Sequence, residues 1–351
     1  MTSINPKFGE DLKSYGAFDF NACYNCGTCT AVCALSTPED SFPREMVRCS
    51  VLGLEDDIKS SLKPWLCYYC GECTTYCPQT ANPGELMMSL RRWLTSAYDW
   101  TGLSGLLYKS LSKSIIAFIL VALGVLVFAK IVSFNLETIT HFGHYFEMIA
   151  IGSVFILILL PNIIRMWWLV ILKPKIKISF KSYLSSIGDL IVHMFTQKRA
   201  LGCEDNRFRW FEHFILVLSY LALLFTTVFL DWFSSRNLFI IIIGYVESAI
   251  ILAVTFDFVK SRMKKNKGIS KYSQPSDWFF VIWLLLMGLT ALVVRTFIDL
   301  DILRINIWVY LFHLTVLVQW ALIIVPFGKW THFLYRSFAM YFDSLKKSTA
   351  R

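Results

Sequence analysis

Charge is scarce in this chain. Asp, Glu, Lys and Arg supply 17% of its 351 residues against 56% apolar residues, a balance too greasy for a soluble protein of this size. Strand-like alternation is hard to find in residues 1–100, which argues against a β-rich domain there. No glycine-rich loop of the kind that cradles a nucleotide or flavin pyrophosphate occurs, so the chain is not expected to work alone on a final substrate. C-x-x-C-H is missing, which excludes covalently attached haem. There is no internal repeat and no low-complexity stretch. The polar start MTSINPKFGEDLKSYG has no secretory signal, so a disulfide scaffold is not expected.

Cysteine, by contrast, is concentrated. Eight of the ten stand in two runs of identical spacing, Cys23, Cys26, Cys29, Cys33 and Cys67, Cys70, Cys73, Cys77. Each reads C-x2-C-x2-C-x3-C, the bacterial pattern for a cubane [4Fe–4S] cluster whose fourth thiolate comes from the other run. Cys23, Cys26, Cys29 and Cys77 are therefore assigned to one cluster, and Cys67, Cys70, Cys73 and Cys33 to the other. Paired zinc knuckles are the rival, but zinc takes two C-x2-C pairs per site and has no use for a third cysteine two residues on. Pro78 follows the second run as the pattern expects, whereas Ala34 follows the first. Cys49 and Cys203 lie outside the runs and read as ordinary thiols.

Charge is also unevenly spread. Residues 1–100 hold 8 Lys/Arg against 12 Asp/Glu, and the remainder 26 against 13. The basic excess lies between long apolar runs, which points away from nucleic acid and toward a membrane. Six runs are long enough to cross a hydrocarbon core as helices: about 114–134, 146–171, 211–231, 238–259, 278–298 and 306–327. The connections 172–210, 260–277 and the tail 328–351 hold eight, six and five Lys/Arg, while the alternate connections hold only Arg236 and Arg304. The positive-inside rule then puts both termini in the cytoplasm, on the inner face of the cytoplasmic membrane. Trp167, Trp168, Trp232, Trp278 and Trp308 sit at span ends as interfacial anchors.

The expected fold is all-α: a helical dicluster domain over 1–100, an amphipathic linker over 101–113, a six-helix transmembrane haem b bundle over 114–335 and a cytoplasmic tail over 336–351. Pro43–Lys63 is expected as a helix, and Pro83 opens another, GELMMSLRRWLTSAYDW. Residues 328–351 read as a surface helix leaving the membrane.

Six histidines supply the remaining ligand candidates, at 141, 144, 193, 213, 313 and 332. Any haem would be of b type, with two axial histidines from facing helices. His313 and His332 are 19 residues apart, which at ~1.5 Å per residue is about the thickness of the hydrocarbon core, so one helix reaches two stacked haems. His213 is the natural partner of His332 in an inner pair, and His144 of His313 in an outer one. His193, on IGDLIVHMF, is an alternate ligand or a shaper of a quinone site, and His141 is close enough to His144 to replace it. The bland reading of each is a polar interfacial residue. Glu247 falls near the middle of the fourth span, where an ionisable group is a candidate for a proton or quinone role or a bundle-facing hydrogen bond. Arg295 is a candidate partner for a haem propionate near the outer side.

These residues carry a resemblance. CYNCGTCTAVC and LCYYCGECTTYCPQTANPGELMMSLRRW resemble the small iron–sulfur subunit of heterodisulfide reductases, an α-helical ferredoxin. The second half resembles the haem b membrane subunits of that family and, more distantly, the γ subunit of respiratory nitrate reductase. IGDLIVHMFTQKRALGCEDNRFRWFEHF is similar to the connection before the third span in fused proteins. Both parts in one chain resemble the membrane subunits of quinone-interacting membrane-bound oxidoreductases of sulfur-metabolising microbes. The resemblance implies flavin-containing heterodisulfide reductase-like partner subunits, menaquinone as membrane substrate and adenylylsulfate reductase as terminal partner. In the nitrate reductase protein, another helix also serves both haems, whereas the third span here has only His213. The haem count is therefore one or two, with two favoured.

The reading is an electron conduit between menaquinol and soluble subunits through b haem and two [4Fe–4S] clusters, running in either direction. One alternative is a membrane module serving a thiol–disulfide catalytic subunit. The other is a haem-free anchor bearing an iron–sulfur docking or sensing domain.

Overall fold

A computed structural model of the chain describes residues 3–198, 201, 207–228, 237–265 and 272–349. Among the described residues there is no strand, only an isolated bridge between Thr37 and Asp40, and helices make up most of the chain. Six helical segments are long and apolar enough to cross a membrane, the makeup of a multi-pass membrane protein. They are Leu111–Ile131, Leu136–Leu172, Arg207–Thr226, Leu238–Lys264, Pro275–Asp299 and the segment that begins at Ile307. The second, fourth and fifth spans extend several residues beyond their expected bounds, at Leu136, Lys264 and Pro275, because polar first and last turns extend a helix beyond its apolar core, whereas the first runs three residues earlier than expected at both ends. Trp232 and Cys203 lie outside the described residues.

Two spans are interrupted by π-helical turns, at Phe155–Leu159 and Trp168–Leu172 in the second and at Trp320–Ile324 in the last. Proline accounts for one consequence. Pro161 has no N–H to give the carbonyl four residues back, and Leu157 instead accepts a hydrogen bond from Trp100 Nε1 at 2.9 Å. Asn162, fully buried, accepts from the Trp100 backbone at 3.1 Å. The end of the cluster domain is thereby pinned to the second span.

The 43–63 stretch, expected as one helix, is two, Arg44–Val51 and Glu55–Ser60. They part at Gly53, whose φ of +71° is left-handed and whose missing Cβ leaves room for the Asn5 carbonyl. That loop is closed by a hydrogen bond from Asn5 N to Gly53 O of 2.9 Å. The helix Pro83–Tyr98 does form and runs through the middle of the cluster domain. Its neighbours Phe8, Leu12, Met46, Ile58 and its own Leu86 and Leu94 are at most 1% exposed. Each such side chain contributes about 1.5–3 kcal/mol.

That core does not stop at residue 100. It continues into Met166, Leu169, Val170 and Ile171 at the end of the second span and into Tyr335, Ala339, Phe342 and Leu345 near the C-terminus. The last span breaks at Gly328, and Thr331–Thr349 forms a separate helix. Residues 328–351 are thus not a surface helix leaving the membrane, and the described part of 336–351 is no tail. Tyr335 and Leu345 are buried in the cluster-domain core and Leu334 against Val154, Leu159 and Ile163 of the second span, because these faces of the helix are apolar. His313 and His332 accordingly lie on two helices, and the spacing along one continuous helix does not apply.

Candidate functional site

The two cysteine runs fold as repeats of one another. In each, the residue after the second cysteine is a glycine with φ near +90° (Gly27 at +87°, Gly71 at +90°), preceded two residues earlier by a non-glycine with positive φ, Asn25 or Tyr69. Each glycine opens one turn of helix, Thr28–Ala31 or Glu72–Thr75. Backbone bonds recur in register: Thr30 and Thr74 donate to the glycine carbonyls at 2.9 Å, and Cys33 and Cys77 donate to Thr30 and Thr74 at 3.3 Å. Backbone N–H groups also aim at sulfur, Asn25 to Cys23 at 3.4 Å and Tyr69 to Cys67 at 3.3 Å. Ala81 N–H likewise reaches Cys77 at 3.3 Å. Such donors stabilise thiolates and tune a bound cluster.

All eight cysteines are free thiols. Burial pushes the Cys33 thiol up, and the charges of Cys67 and Cys70, in the other run, add to it. Burial likewise drives Cys73 up, with Cys67, Cys70 and Cys33 as the next contributors. Cys29 answers first to burial and then to Cys23. Cys33 therefore faces the second run. Cys77 lies within electrostatic reach of Tyr24, which also contacts Cys26. Among the described residues no three His, Cys, Asp or Glu side chains close on a single metal ion. Four thiolates around zinc at ~2.3 Å would stand within about 4 Å of one another.

His213 and His332 line one cavity of about 300 Å³ where the bundle meets the second cysteine loop. Tyr68 and Tyr69, which lie between Cys67 and Cys70, form part of its wall. Leu216, Val217, Leu221, Phe258, Phe280 and Trp320 make the remainder largely apolar, and Arg91, Arg209, Lys329 and Arg336 are its cations. Arg91, 3% exposed, ties the two parts together. It donates from Nε to Pro64 O (2.6 Å) and from Nη2 to Cys67 O (2.5 Å), and its Nη1 lies 2.9 Å from His332 Nε2. The His332 ring stands edge-on to Trp65, with centroids 5.5 Å apart.

Beside the cavity runs a buried charge network. Tyr69 Oη donates to Glu85 at 2.9 Å, and Arg92 donates to Glu85 at 3.1 Å and to Asp277 at 2.9 Å. Lys329 completes it by donating to Asp277 at 2.6 Å. Arg92 and Glu85 belong to the cluster domain, Asp277 caps the start of the fifth span and Lys329 ends the sixth. The network therefore locks the cluster domain to the bundle.

The other histidines fall elsewhere. His313 Nδ1 lies 2.8 Å from Thr290 Oγ1 on the fifth span. His144 stacks edge-on to Tyr145, and His141 lies 4.6 Å from the same ring. None of the three lines the cavity, nor does His193, although Gln197, bonded to the His193 carbonyl at 2.9 Å, does. Glu247 is buried in the fourth span, 8% exposed, and its Oε2 has no hydrogen-bond partner among the described residues. Arg295 is paired with Asp299 one turn on, which also accepts from Tyr245 Oη at 2.8 Å. Sequence reasoning missed Arg91, Arg92 and Asp277. Two adjacent arginines on the otherwise apolar helix GELMMSLRRW were the available signal. It also passed over Glu147, placed in the second span within electrostatic reach of Tyr220 and Tyr310.

Comparison with known proteins agrees with this geometry. Residues 22–82 match the model of the 4Fe-4S dicluster domain. The chain is 32% identical over 77 residues to one component of the H(2):CoB-CoM heterodisulfide,ferredoxin reductase of Methanothermobacter thermautotrophicus, and equally to its counterpart from Methanothermobacter marburgensis. Each match covers 22% of this chain and 42% of the relative, so the chain spans under half the length of the curated relatives it matches. No solved structure matches. The first part of the chain is thus an iron–sulfur electron-transfer domain related to that reductase component.

Proposed function

We propose that the chain is the membrane subunit of a quinone-interacting oxidoreductase. It would carry electrons between menaquinol and cytoplasmic flavin-containing heterodisulfide reductase-like subunits, with adenylylsulfate reductase beyond them and both termini in the cytoplasm. The observation that carries this is the position of His213 and His332 on one apolar cavity that the second cysteine loop also walls.

When bound, two [4Fe–4S] clusters and b haem supply one-electron storage and transfer. Cys23, Cys26, Cys29 and Cys77 hold the first cluster and Cys67, Cys70, Cys73 and Cys33 the second, as the facing of Cys33 toward the second run supports. His213 and His332 hold the inner haem, with Arg91, Arg209, Lys329 and Arg336 available to its two propionates. Ligation through His332 Nε2 requires Arg91 Nη1 to leave that nitrogen; the carbonyl bonds of Arg91 to Pro64 and Cys67 keep the guanidinium beside it. His313 and His144 hold an outer haem. The hydrogen bond of His313 Nδ1 with Thr290 leaves its Nε2 for iron, the usual division of labour in a ligating imidazole. His193 is the alternate ligand, and Arg295 the outer propionate partner once released from Asp299. Glu247, with a buried unpartnered oxygen, is suited to hold a proton or a quinone hydrogen bond.

Iron, acid-labile sulfide and pyridine-haemochrome content of the purified chain test the reading. One dicluster domain with two [4Fe–4S] sites and a bundle with two histidine pairs give about eight non-haem irons and about two b haems. His213→Ala and His332→Ala should each remove inner haem and leave non-haem iron and sulfide unchanged. Full haem in both variants would refute the pair, and a haem-free wild-type chain would leave only an anchor with an iron–sulfur docking domain. The relatives favour a second reading, a membrane module for a thiol–disulfide catalytic subunit, and the identity of co-purifying subunits separates the two.

A further inference from the structure

The two cysteine loops share a backbone but not an environment. In the second, the tyrosine after the first cysteine, Tyr68, looks into the cavity, and the next residue, Tyr69, is bonded to buried Glu85. In the first, the matching tyrosine, Tyr24, is 58% exposed; the second cysteine of each run, Cys26 and Cys70, is exposed in both. Phe18 and Tyr76 are exposed to a similar degree. Contacts between their neighbours bring the two runs together here: Asn82 Nδ2 donates to Asp19, next to Phe18, and Tyr24 contacts Cys26 and Gln79, the latter three residues from Tyr76.

The electrostatics of this face are one-sided. Residues 14–43 and 64–90, which build it, contain no Lys or Arg. Asp19, Glu39 and Glu72 are exposed on them, and the cation nearest the first loop is Arg44, flanking Gly27. Three exposed aromatic rings inside an acidic surround match the anatomy of a protein interface, where aromatic residues form the core and charged residues steer the encounter. The second loop turns Tyr68 into the cavity and leaves Cys70 and Tyr76 exposed; the first turns the matching Tyr24 outward.

We infer that the surface around Phe18, Tyr24 and Tyr76 is the docking site of a soluble redox protein that presents a cationic rim around its own redox centre. The inference rests on the proposed conduit in one respect, that electrons pass between this chain and a soluble partner.

The test uses the full chain in nanodiscs, reduced with dithionite and freed of excess, mixed in stopped flow with cytochrome c as a cationic acceptor and with flavodoxin as an anionic one. Reduction of cytochrome c should be the faster and should slow steeply between about 10 mM and about 1 M salt, where the screening length falls from about 30 to about 3 Å. Asp19→Lys/Glu72→Lys should slow it about tenfold at low salt and little at high salt. Tyr24→Ala should slow it at both, with sulfide content and cluster EPR signals unchanged. Faster reaction with flavodoxin, or a charge-reversed chain as fast as wild type at low salt, would overturn the inference. Haem content on the same preparations keeps the two failures apart: haem present with salt-independent rates defeats the docking face alone, and haem absent with steered rates defeats the conduit alone.

Discussion

Arg92→Met is the most informative perturbation of the joint between cluster domain and bundle. The Arg92, Glu85 and Asp277 side chains are each 6% exposed, and with Lys329 they make two cations and two carboxylates. Removing the guanidinium while keeping an apolar stem leaves two buried carboxylates to one ammonium and orphans the Tyr15 carbonyl that Arg92 now satisfies at 2.9 Å. Breaking a buried pair in this way costs about 3–5 kcal/mol, because the partner charge stays behind without compensation. At about 1.4 kcal/mol per decade, the opening equilibrium of the Pro83–Tyr98 helix should rise by about two to three and a half decades. Hydrogen exchange of its amides in nanodisc-embedded protein reads that change directly. Adding Glu85→Gln restores charge balance and should recover more than about 1 kcal/mol of the loss. Lys347→Met, which breaks the exposed pair with Asp343, should cost at most about 1 kcal/mol and serves as the control. Burial already holds the Glu85 carboxyl above the ordinary carboxylate range, against the pull of Arg92. A raised acid adds stability below its unfolded pKa and loses it as pH rises through the folded value. Acidification should therefore restore part of the stability of Arg92→Met, and less of the doubly substituted chain. A loss below about 1 kcal/mol in Arg92→Met, or a double variant weaker than the single, would refute the reasoning.

Two further outcomes are expected. Cys77→Ser should damage the first cluster although the residue stands in the second run, seen as loss of one set of cluster EPR signals; loss confined to the second cluster would refute crossed ligation. Burial, with Glu45 and Asp57, pushes the Cys49 thiol up to about 11. About a hundredfold less thiolate than an ordinary thiol follows at neutral pH. N-ethylmaleimide should therefore label Cys49 at least that much more slowly than a small-molecule thiol, and mass spectrometry finding parity would remove the burial argument.

The sequence by itself determined most of what depends on local spacing, the break of the 43–63 helix at Gly53 excepted. The C-x2-C-x2-C-x3-C runs, the six apolar stretches and the absence of strand alternation are periodic or length signals, and the all-α architecture followed from them. Pro83 marks a helix start correctly because proline suits a first turn. What only the tertiary structure decided depends on groups far apart in the chain. Residues 328–351 read as a departing surface helix since their amphipathic pattern states that one face is apolar, not what will cover it; in the helix Thr331–Thr349 the cluster domain covers much of it. Arg91 and Arg92 are marked in the sequence only as adjacent charges on a largely apolar helix, for a buried arginine's role is recognised through its partners, and those are 241 residues away at His332 and 185 away at Asp277. His213 and His332 pair from nominal span positions, yet the break at Gly328 moves His332 onto another helix. It is the fold, closing the cluster domain over the end of the bundle, that brings both histidines to the wall of one cavity.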